Sequence, residues 1–231
     1  MASAGREARH MTEVKPWLGR VMAALGLIAA WGVLPVALAA KSDFQWKPAI
    51  ATVFWVGEEG SDENGHIPNI ASAWDSHWRD HYGGVDDPED RCGFEPCSFK
   101  PKENPFYVAL PYDDMTEGGA RKASAAQIPW RGAARKSALK NRWIAIRANG
   151  RTCYAQWQDV GPFESDDVAY VFGSAAEPQN KRIKAAGIDL SPAVRDCLQV
   201  EPVANVSWRH VDDQDVPDGP WRKVVTTRPG P

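Results

Sequence analysis

One stretch of the sequence joins the residue types of acid–base chemistry to a sharp change of chain direction. Residues 153–163, CYAQWQDVGPF, have the composition of a strand up to the Gly-Pro pair, which breaks regular structure. Because side chains alternate along a strand, Trp157 and Asp159 are predicted to share one face. A carboxylate at the mouth of a strand, beside an indole, is a candidate catalytic or sugar-binding acid. The alternative is an Asp that only starts a turn.

One reaction that such an acid can serve is cleavage of a glycosidic bond. That reaction needs a proton donor to the leaving oxygen, and hydrolysis commonly adds a second carboxylate. Trp157 would desolvate Asp159 and keep it protonated near neutral pH. Asp189, Asp113 and Glu58 are candidates for the second carboxylate, whereas lytic cleavage would need Asp159 alone.

Aromatic residues are the second group of candidates, because indole and phenol rings stack on the apolar faces of sugars. The chain has 11 tryptophans in 231 residues. Trp55, Trp157 and Tyr112 are the predicted stacking residues, and packing in the core is the alternative for each.

Metal sites are not favoured by the spacing of the candidate ligands. His77 and His81 stand four apart, but Trp78-Arg79 replaces the Glu of an H-E-x-x-H motif, so a solvated polar face is the expected interpretation. The acidic stretch at 212–219 lacks the final Glu of a calcium loop and contains Pro217, which favours a turn. We therefore expect no metal and no cofactor.

The first forty residues have the pattern of an export signal. Val21 to Ala40 is apolar or Gly throughout, and Ala37-Leu38-Ala39 forms a small-x-small cleavage pattern. Residues 1–40 are therefore predicted to be a signal peptide, with an uncleaved signal anchor as the alternative, since about twenty apolar residues can span a bilayer. The remaining chain, 41–231, is expected to be secreted or periplasmic, with membrane contact only if the segment is uncleaved.

Export determines how the four cysteines are interpreted, because disulfides persist in oxidising compartments. Of the three pairings, Cys92–Cys97 is favoured as a local staple and Cys153–Cys197 as a long-range tie. A zinc site is the alternative, but the chain contains no Cys-x-x-Cys. The charge balance of 27 basic against 30 acidic residues, without a basic stripe, argues against nucleic acid as a partner.

Hydrophobic patterns predict the elements that would position these residues. Strands are predicted at 49–56, 106–110 and 203–211, and a hairpin over 142–159 around Asn149-Gly150. A short helix is predicted within 72–82, and another after Ser191, which can cap a helix that has Pro192 at its first position. The basic residues of the segment 113–140 are expected to lie at the surface.

Four stretches, taken in order, resemble the double-psi β-barrel domains of rare lipoprotein A-like lytic transglycosylases, expansins and related small endoglucanases. They are 52–57 (TVFWVG), 106–110 (FYVAL), 158–163 (QDVGPF) and 188–194 (IDLSPAV). The third is similar to the family's Asn-Asp-Arg-Gly-Pro-Phe segment, with Gln158 and Val160 replacing Asn and Arg. The resemblance implies a mainly β fold: a six-stranded double-psi β-barrel with short helices and long loop insertions, in one domain over 41–231 with a short C-terminal tail.

The resemblance also implies a polysaccharide groove with Asp159 and Asp189 on its floor. In the transglycosylases the Asp that matches Asp159 is important for catalysis. In expansins the Asp that matches Asp189 matters for wall loosening without hydrolysis. Two functions are therefore expected: cleavage of peptidoglycan or another wall glycan with Asp159 as acid/base, or carbohydrate binding by a non-catalytic, expansin-like module that uses the same groove.

Overall fold

Eight strands and three short helices make up the regular structure of the computed structural model, which describes residues 44–62, 64–130 and 132–230. The strands are β1 (Lys47–Val53), β2 (Arg91–Cys92), β3 (Glu95–Pro96), β4 (Tyr107–Leu110), β5 (Trp143–Ala148), β6 (Arg151–Val160), β7 (Ala186–Leu190) and β8 (Ala204–Val211). The α-helices are α1 (Trp78–Tyr82), α2 (Val168–Val171) and α3 (Pro192–Leu198), with 3₁₀ turns at Ala123–Gln127, Asp213–Asp215 and Pro220–Arg222. The predicted export segment, 1–40, lies outside the described residues.

Six of the strands close into a barrel in the order β1-β7-β4-β6-β5-β8. The pairs β1–β7 and β4–β6 are parallel, and the other four pairs are antiparallel. The prediction of a mainly β chain with a six-stranded barrel and short helices is confirmed. The mixed strand directions are compatible with a double-psi arrangement. Strands β2 and β3 form a separate two-stranded sheet in the long insertion between β1 and β4.

Two local predictions are confirmed by the backbone. Asn149 and Gly150 join β5 to β6 with φ values of 51° and 72°, which the small Gly and the polar Asn tolerate. The Ser191 side chain accepts a hydrogen bond from the Val194 N–H and caps α3, with Pro192 at the first position.

Two other boundaries differ from prediction where hydrogen bonds outside the regular elements hold the backbone. The helix expected within 72–82 begins only at Trp78, since Ser72 and Asp75 exchange backbone hydrogen bonds and close a tight loop first. Strand β1 ends at Val53, and the Val56 N–H donates to the Tyr107 hydroxyl rather than to a neighbouring strand.

The segment 113–140 is mostly irregular, with one 3₁₀ turn, and one of its basic residues contradicts the predicted surface location. The side chain of Lys140 is 1% exposed. No helix among the described residues has the length and apolar composition needed to cross a membrane.

The main core fills the barrel, and a smaller cluster packs on its outer face. Buried residues of the interior include Val108, Ile144, Ile146, Ala155, Trp157, Ile188, Leu190 and Trp208. The outer cluster joins α1 to β4 through Phe54, Val56, Trp78, Tyr82, Tyr107 and Ala109. Alternate residues of β4 therefore serve the two cores, as the pleat of a strand requires.

Both predicted disulfide pairings, Cys92–Cys97 and Cys153–Cys197, are confirmed. Cys92–Cys97 staples the β2–β3 hairpin. Cys153–Cys197 ties β6 to α3, the helix that directly follows β7. The long-range bond thus links the strand that carries Asp159 to the helix that follows Asp189.

Removing the Cys153–Cys197 bond by a double Ala substitution is expected to destabilise the fold more than removing Cys92–Cys97. The bonds close segments of 44 and 5 residues, and the loss of loop-closure entropy predicts costs of about 4 and about 2 kcal/mol respectively. Urea unfolding of both double variants under non-reducing conditions measures the difference. Equal losses would contradict the role of Cys153–Cys197 as the principal tie.

Candidate functional site

Four residues stand in register on adjacent barrel strands: Thr52 on β1, Asp189 on β7, Ala109 on β4 and Asp159 on β6. All four line a groove of about 480 Å³ on the outside of the barrel. Since neighbouring strands lie about 4.8 Å apart, the strands that carry the two Asp residues are separated by about 10 Å. The small Ala109 between them leaves the space between the carboxyl groups open.

A β-bulge in β6 directs Asp159 into the groove. Trp157 pairs with Val108 and Asp159 with Ala109, so two residues of β6 oppose one step of β4. The extra residue reverses the alternation of faces. Trp157 consequently points into the barrel core, where it is fully buried. The prediction that Trp157 and Asp159 share a face is therefore wrong.

Trp157 supports the bulge instead of covering the acid. Its indole N–H donates a 2.8 Å hydrogen bond to the backbone oxygen of Asp159. This hydrogen bond ties the buried indole to the backbone at the bulge.

The Asp159 carboxyl group is nearly enclosed by protein but still lines the floor of the groove. It is 7% exposed, and its Oδ1 accepts hydrogen bonds from the N–H groups of Ala73 (2.7 Å) and Val160 (2.8 Å). Burial raises the pKa of Asp159 to about 7, although both hydrogen bonds lower it. The charge of Asp113 raises this pKa further, whereas the charge of Lys140 lowers it.

The Asp189 carboxyl group is partly exposed on the same floor. The Thr52 hydroxyl donates to its Oδ1, and a Cβ atom at Gly161 would lie 3.0 Å from its Oδ2. Burial raises the pKa of Asp189 to about 7, and the charges of Asp159 and Glu58 act in the same direction. The cap of α3 is Ser191, so Asp189 is not needed to cap that helix.

The groove walls come from loops that the barrel strands support. Ile67, Pro88, Phe163 and Val203 contribute apolar surface, and Glu58 and Glu89 contribute carboxylates. Arg195 also lines the groove, but its guanidinium is hydrogen-bonded to Asp196. Several non-Gly residues in or beside these walls have positive φ, namely His66, Phe163, Ile183, Lys184 and Ala185. Such backbone strain is concentrated at functional sites in proteins.

Of the three predicted stacking residues, only Trp55 lies on the groove, where it is partly exposed. Trp157 and Tyr112 are fully buried, and the Tyr112 hydroxyl is hydrogen-bonded to Ser124. Protein atoms cover both rings, which argues against the predicted stacking role for these two residues. Phe163 lines the groove and was not predicted as a ligand contact, although it closes the QDVGPF motif.

The remaining candidate ligands lie away from the groove. His81 Nδ1 is hydrogen-bonded to the Asp75 carboxylate, while His77 is exposed. Asp213 and Asp215 form a 3₁₀ turn. Within residues 44–230, as far as they are described, no group of three or more His, Cys, Asp or Glu side chains is arranged to hold a metal. Asp113 accepts hydrogen bonds from the Trp74 indole and the Met115 N–H and does not line the groove.

The raised pKa of Asp189 has a consequence for stability. Between its ordinary pKa, about 3.9, and about 7, the native state holds a proton that the unfolded state releases, so stability falls as pH rises. Asn cannot ionise, so Asp189→Asn removes this loss. We expect the unfolding free energy of the variant, relative to wild type, to increase by about 1–3 kcal/mol from pH 4 to pH 8, a range that allows for the partial exposure of Asp189. Urea unfolding at pH 4, 6 and 8 measures it, with the exposed Asp218→Asn as the matched control. Parallel pH curves for wild type and Asp189→Asn would contradict it.

No protein-family model matches the chain, and no curated protein is significantly similar to it in sequence. The geometry of the groove and the quoted motifs therefore carry any proposal about function.

Proposed function

We propose that this chain is an exported protein that acts on a cell-wall or extracellular polysaccharide and cleaves glycosidic bonds, with Asp159 as acid/base. The observation that carries the proposal is the pairing of Asp159 and Asp189 across Ala109 on the floor of one groove. Most enzymes that cleave glycosidic bonds use two carboxyl groups that face a shared cleft.

The protonation of the two acids supports these roles. A pKa raised to about 7 makes both the protonated and the ionised form accessible near neutral pH, so Asp159 can donate a proton to the leaving oxygen and take one back. Asp189, which is more exposed and is oriented by Thr52, would activate water or stabilise the positive charge that develops on the sugar. In a lytic reaction Asp159 would act as both acid and base.

The walls of the groove suit a sugar chain. Trp55 and Phe163 offer aromatic surface to the faces of sugar rings, beside the exposed Ile67 and Val203. A volume of about 480 Å³ falls in the range of small-molecule sites. Residues 159–163 of the QDVGPF motif and Asp189 of the IDLSPAV motif line the groove, which favours the relation to lytic transglycosylases and expansins.

The second candidate is a non-catalytic, expansin-like or carbohydrate-binding module that uses the same groove. The observation that favours it is the confinement of Asp159, which is 7% exposed and fixed by two backbone N–H groups. Such an acid could maintain the shape of the groove without transferring protons. Under either candidate, the partner is peptidoglycan or another wall glycan, and the two disulfides suit an oxidising compartment.

The test is incubation of the purified chain that begins at Lys41, with its disulfides formed, with peptidoglycan and with plant-type glucans. Reducing-sugar release and mass spectrometry identify the products. Hydrolysed ends or anhydro-sugar ends would support cleavage and would distinguish the hydrolytic from the lytic reaction. Binding without products would favour the binding module, and neither binding nor products would contradict both candidates.

A further inference from the structure

A buried ammonium group lies behind the groove. The Lys140 side chain is 1% exposed, and an oxygen of the Asp75 carboxylate lies 3.8 Å from its Nζ. No atom of the described residues accepts a hydrogen bond from this Nζ. Burial of an ammonium that lacks a hydrogen bond is costly, so its retention calls for a compensating role.

The backbone places Lys140 beside the end of β6. The next residue, Asn141, donates its N–H to the Trp157 oxygen (2.9 Å), and its side chain accepts a hydrogen bond from the Gln158 amide (2.9 Å). Asp159 follows directly in β6. The charge of Lys140 is therefore held next to the strand end that carries the proposed acid.

A short loop connects the two side chains a second time. Ser72 and Asp75 close the loop 72–75 through a pair of backbone hydrogen bonds of 2.9 and 3.3 Å. Within it, the Ala73 N–H donates to Asp159 Oδ1, and Asp75 faces the Lys140 ammonium. One loop thus donates a hydrogen bond to the Asp159 carboxylate through Ala73 and places the Asp75 carboxylate beside the Lys140 ammonium.

We propose that Lys140 is a positioning residue for Asp159. Its buried positive charge favours the ionised form of the Asp159 carboxyl, and its contact with Asp75 fixes the loop that donates a hydrogen bond to that carboxyl. The consequence for catalysis rests on the proposed function, whereas the effect on the charge of Asp159 does not.

The charged groups around Lys140 agree with this role. Asp75, Glu103, Arg228 and Asp159 act electrostatically on its ammonium. Arg228 lies 3.3 Å from Glu103 and 3.8 Å from Asp75, so it offsets part of the negative charge of this pair. The charge of Asp113 favours the protonated form of Asp159. Lys140 opposes this effect and helps Asp159 release its proton near neutral pH.

The test is Lys140→Met, with the carboxyl titrations of Asp159 and Asp189 followed by ¹³C NMR in the disulfide-bonded chain that begins at Lys41. We expect the Asp159 midpoint to rise by about one pH unit, a tenfold weaker acid. The Asp189 midpoint should not rise, because Lys140 is not among the groups that shift it and a protonated Asp159 no longer raises it. The exposed Lys136→Met should change neither midpoint. On a cleaved glycan, the limb of the pH–rate profile that belongs to Asp159 should move with its midpoint.

Further variants separate a charge effect from a structural one. Lys140→Gln should reproduce the shift if Lys140→Met does not fold, and Lys140→Arg, which keeps the charge, should retain the wild-type midpoint. An unchanged Asp159 midpoint in a folded neutral variant would overturn the proposal, as would equal shifts of Asp159 and Asp189. If wild type cleaves none of the glycans, the proposed function fails, while the titrations still decide the role of Lys140.

Discussion

Replacing Asp159 with Asn is expected to lower the rate of glycan cleavage by about 10²–10⁴-fold, the usual contribution of a general acid–base residue. The amide cannot supply the proton that the leaving oxygen needs. It does retain an oxygen that can accept from the Ala73 and Val160 N–H groups, so the groove floor is expected to stay folded. Product release by mass spectrometry and thermal unfolding of the same preparation measure both effects.

Asp113→Asn is the matched control. Burial raises the pKa of Asp113, as it does for Asp159, and Asp113 also accepts two hydrogen bonds, but it does not line the groove. This variant should keep most of the activity. Because the charge of Asp113 raises the pKa of Asp159, its removal should move the pH profile to lower pH. Unchanged product release by folded Asp159→Asn would exclude the acid/base role, and equal losses in both variants would indicate a structural effect.

The barrel could be predicted from the sequence because its strands follow local rules. The apolar run of β4, the Asn149-Gly150 turn and the Ser191-Pro192 helix start each depend on neighbouring residues alone. Hydrogen bonds between loop residues and distant parts of the chain could not be predicted in this way. The Val56 N–H, beyond the end of β1, donates to the Tyr107 hydroxyl 51 residues away, and no pattern near Val56 announces this bond.

The site could be predicted as far as its motifs extend. Asp159 and Asp189 both lie in the quoted motifs, and both face the groove. The bulge before Asp159 could not be predicted, because the extra residue is defined by pairing with β4 and the alternation rule assumes an unbroken ladder. Its position moved Trp157 from the groove to the core.

Lys140 shows the same limit for charged residues. Its Ala-, Lys- and Arg-rich surroundings predict a solvated segment, and Lys136 in the same segment is exposed. Its burial follows from tertiary contacts: Asn141 pairs with Trp157, and Asp75 lies beside the ammonium. Burial of a charge is decided by tertiary partners, which a single sequence does not reveal.

Substituting Arg91 by Met is expected to lower the free energy of unfolding by about 3–5 kcal/mol, the cost of leaving a buried charge without its partner. The partner is Asp86, which is fully buried and forms an ion pair with the Arg91 guanidinium. The Tyr107 hydroxyl also donates to Asp86 (2.8 Å) and accepts from the Val56 N–H (3.0 Å). This network attaches the insertion that carries Pro88 and Glu89 of the groove wall to β4.

The loss should depend on pH in a defined direction. Burial raises the pKa of Asp86, and Arg91 is the largest influence that lowers it. Without Arg91 the carboxyl group would bind a proton more readily in the native state, so stability would fall as pH rises, and the loss should be smaller at pH 5 than at pH 8. Urea unfolding at both pH values measures this. Arg79→Met is the control, because Arg79 pairs at 4.0 Å with the exposed Asp80, a contact expected to contribute about 0–1 kcal/mol. Losses of similar size in the two variants, or a pH-independent loss for Arg91→Met, would show that the Asp86 charge is not what Arg91 stabilises.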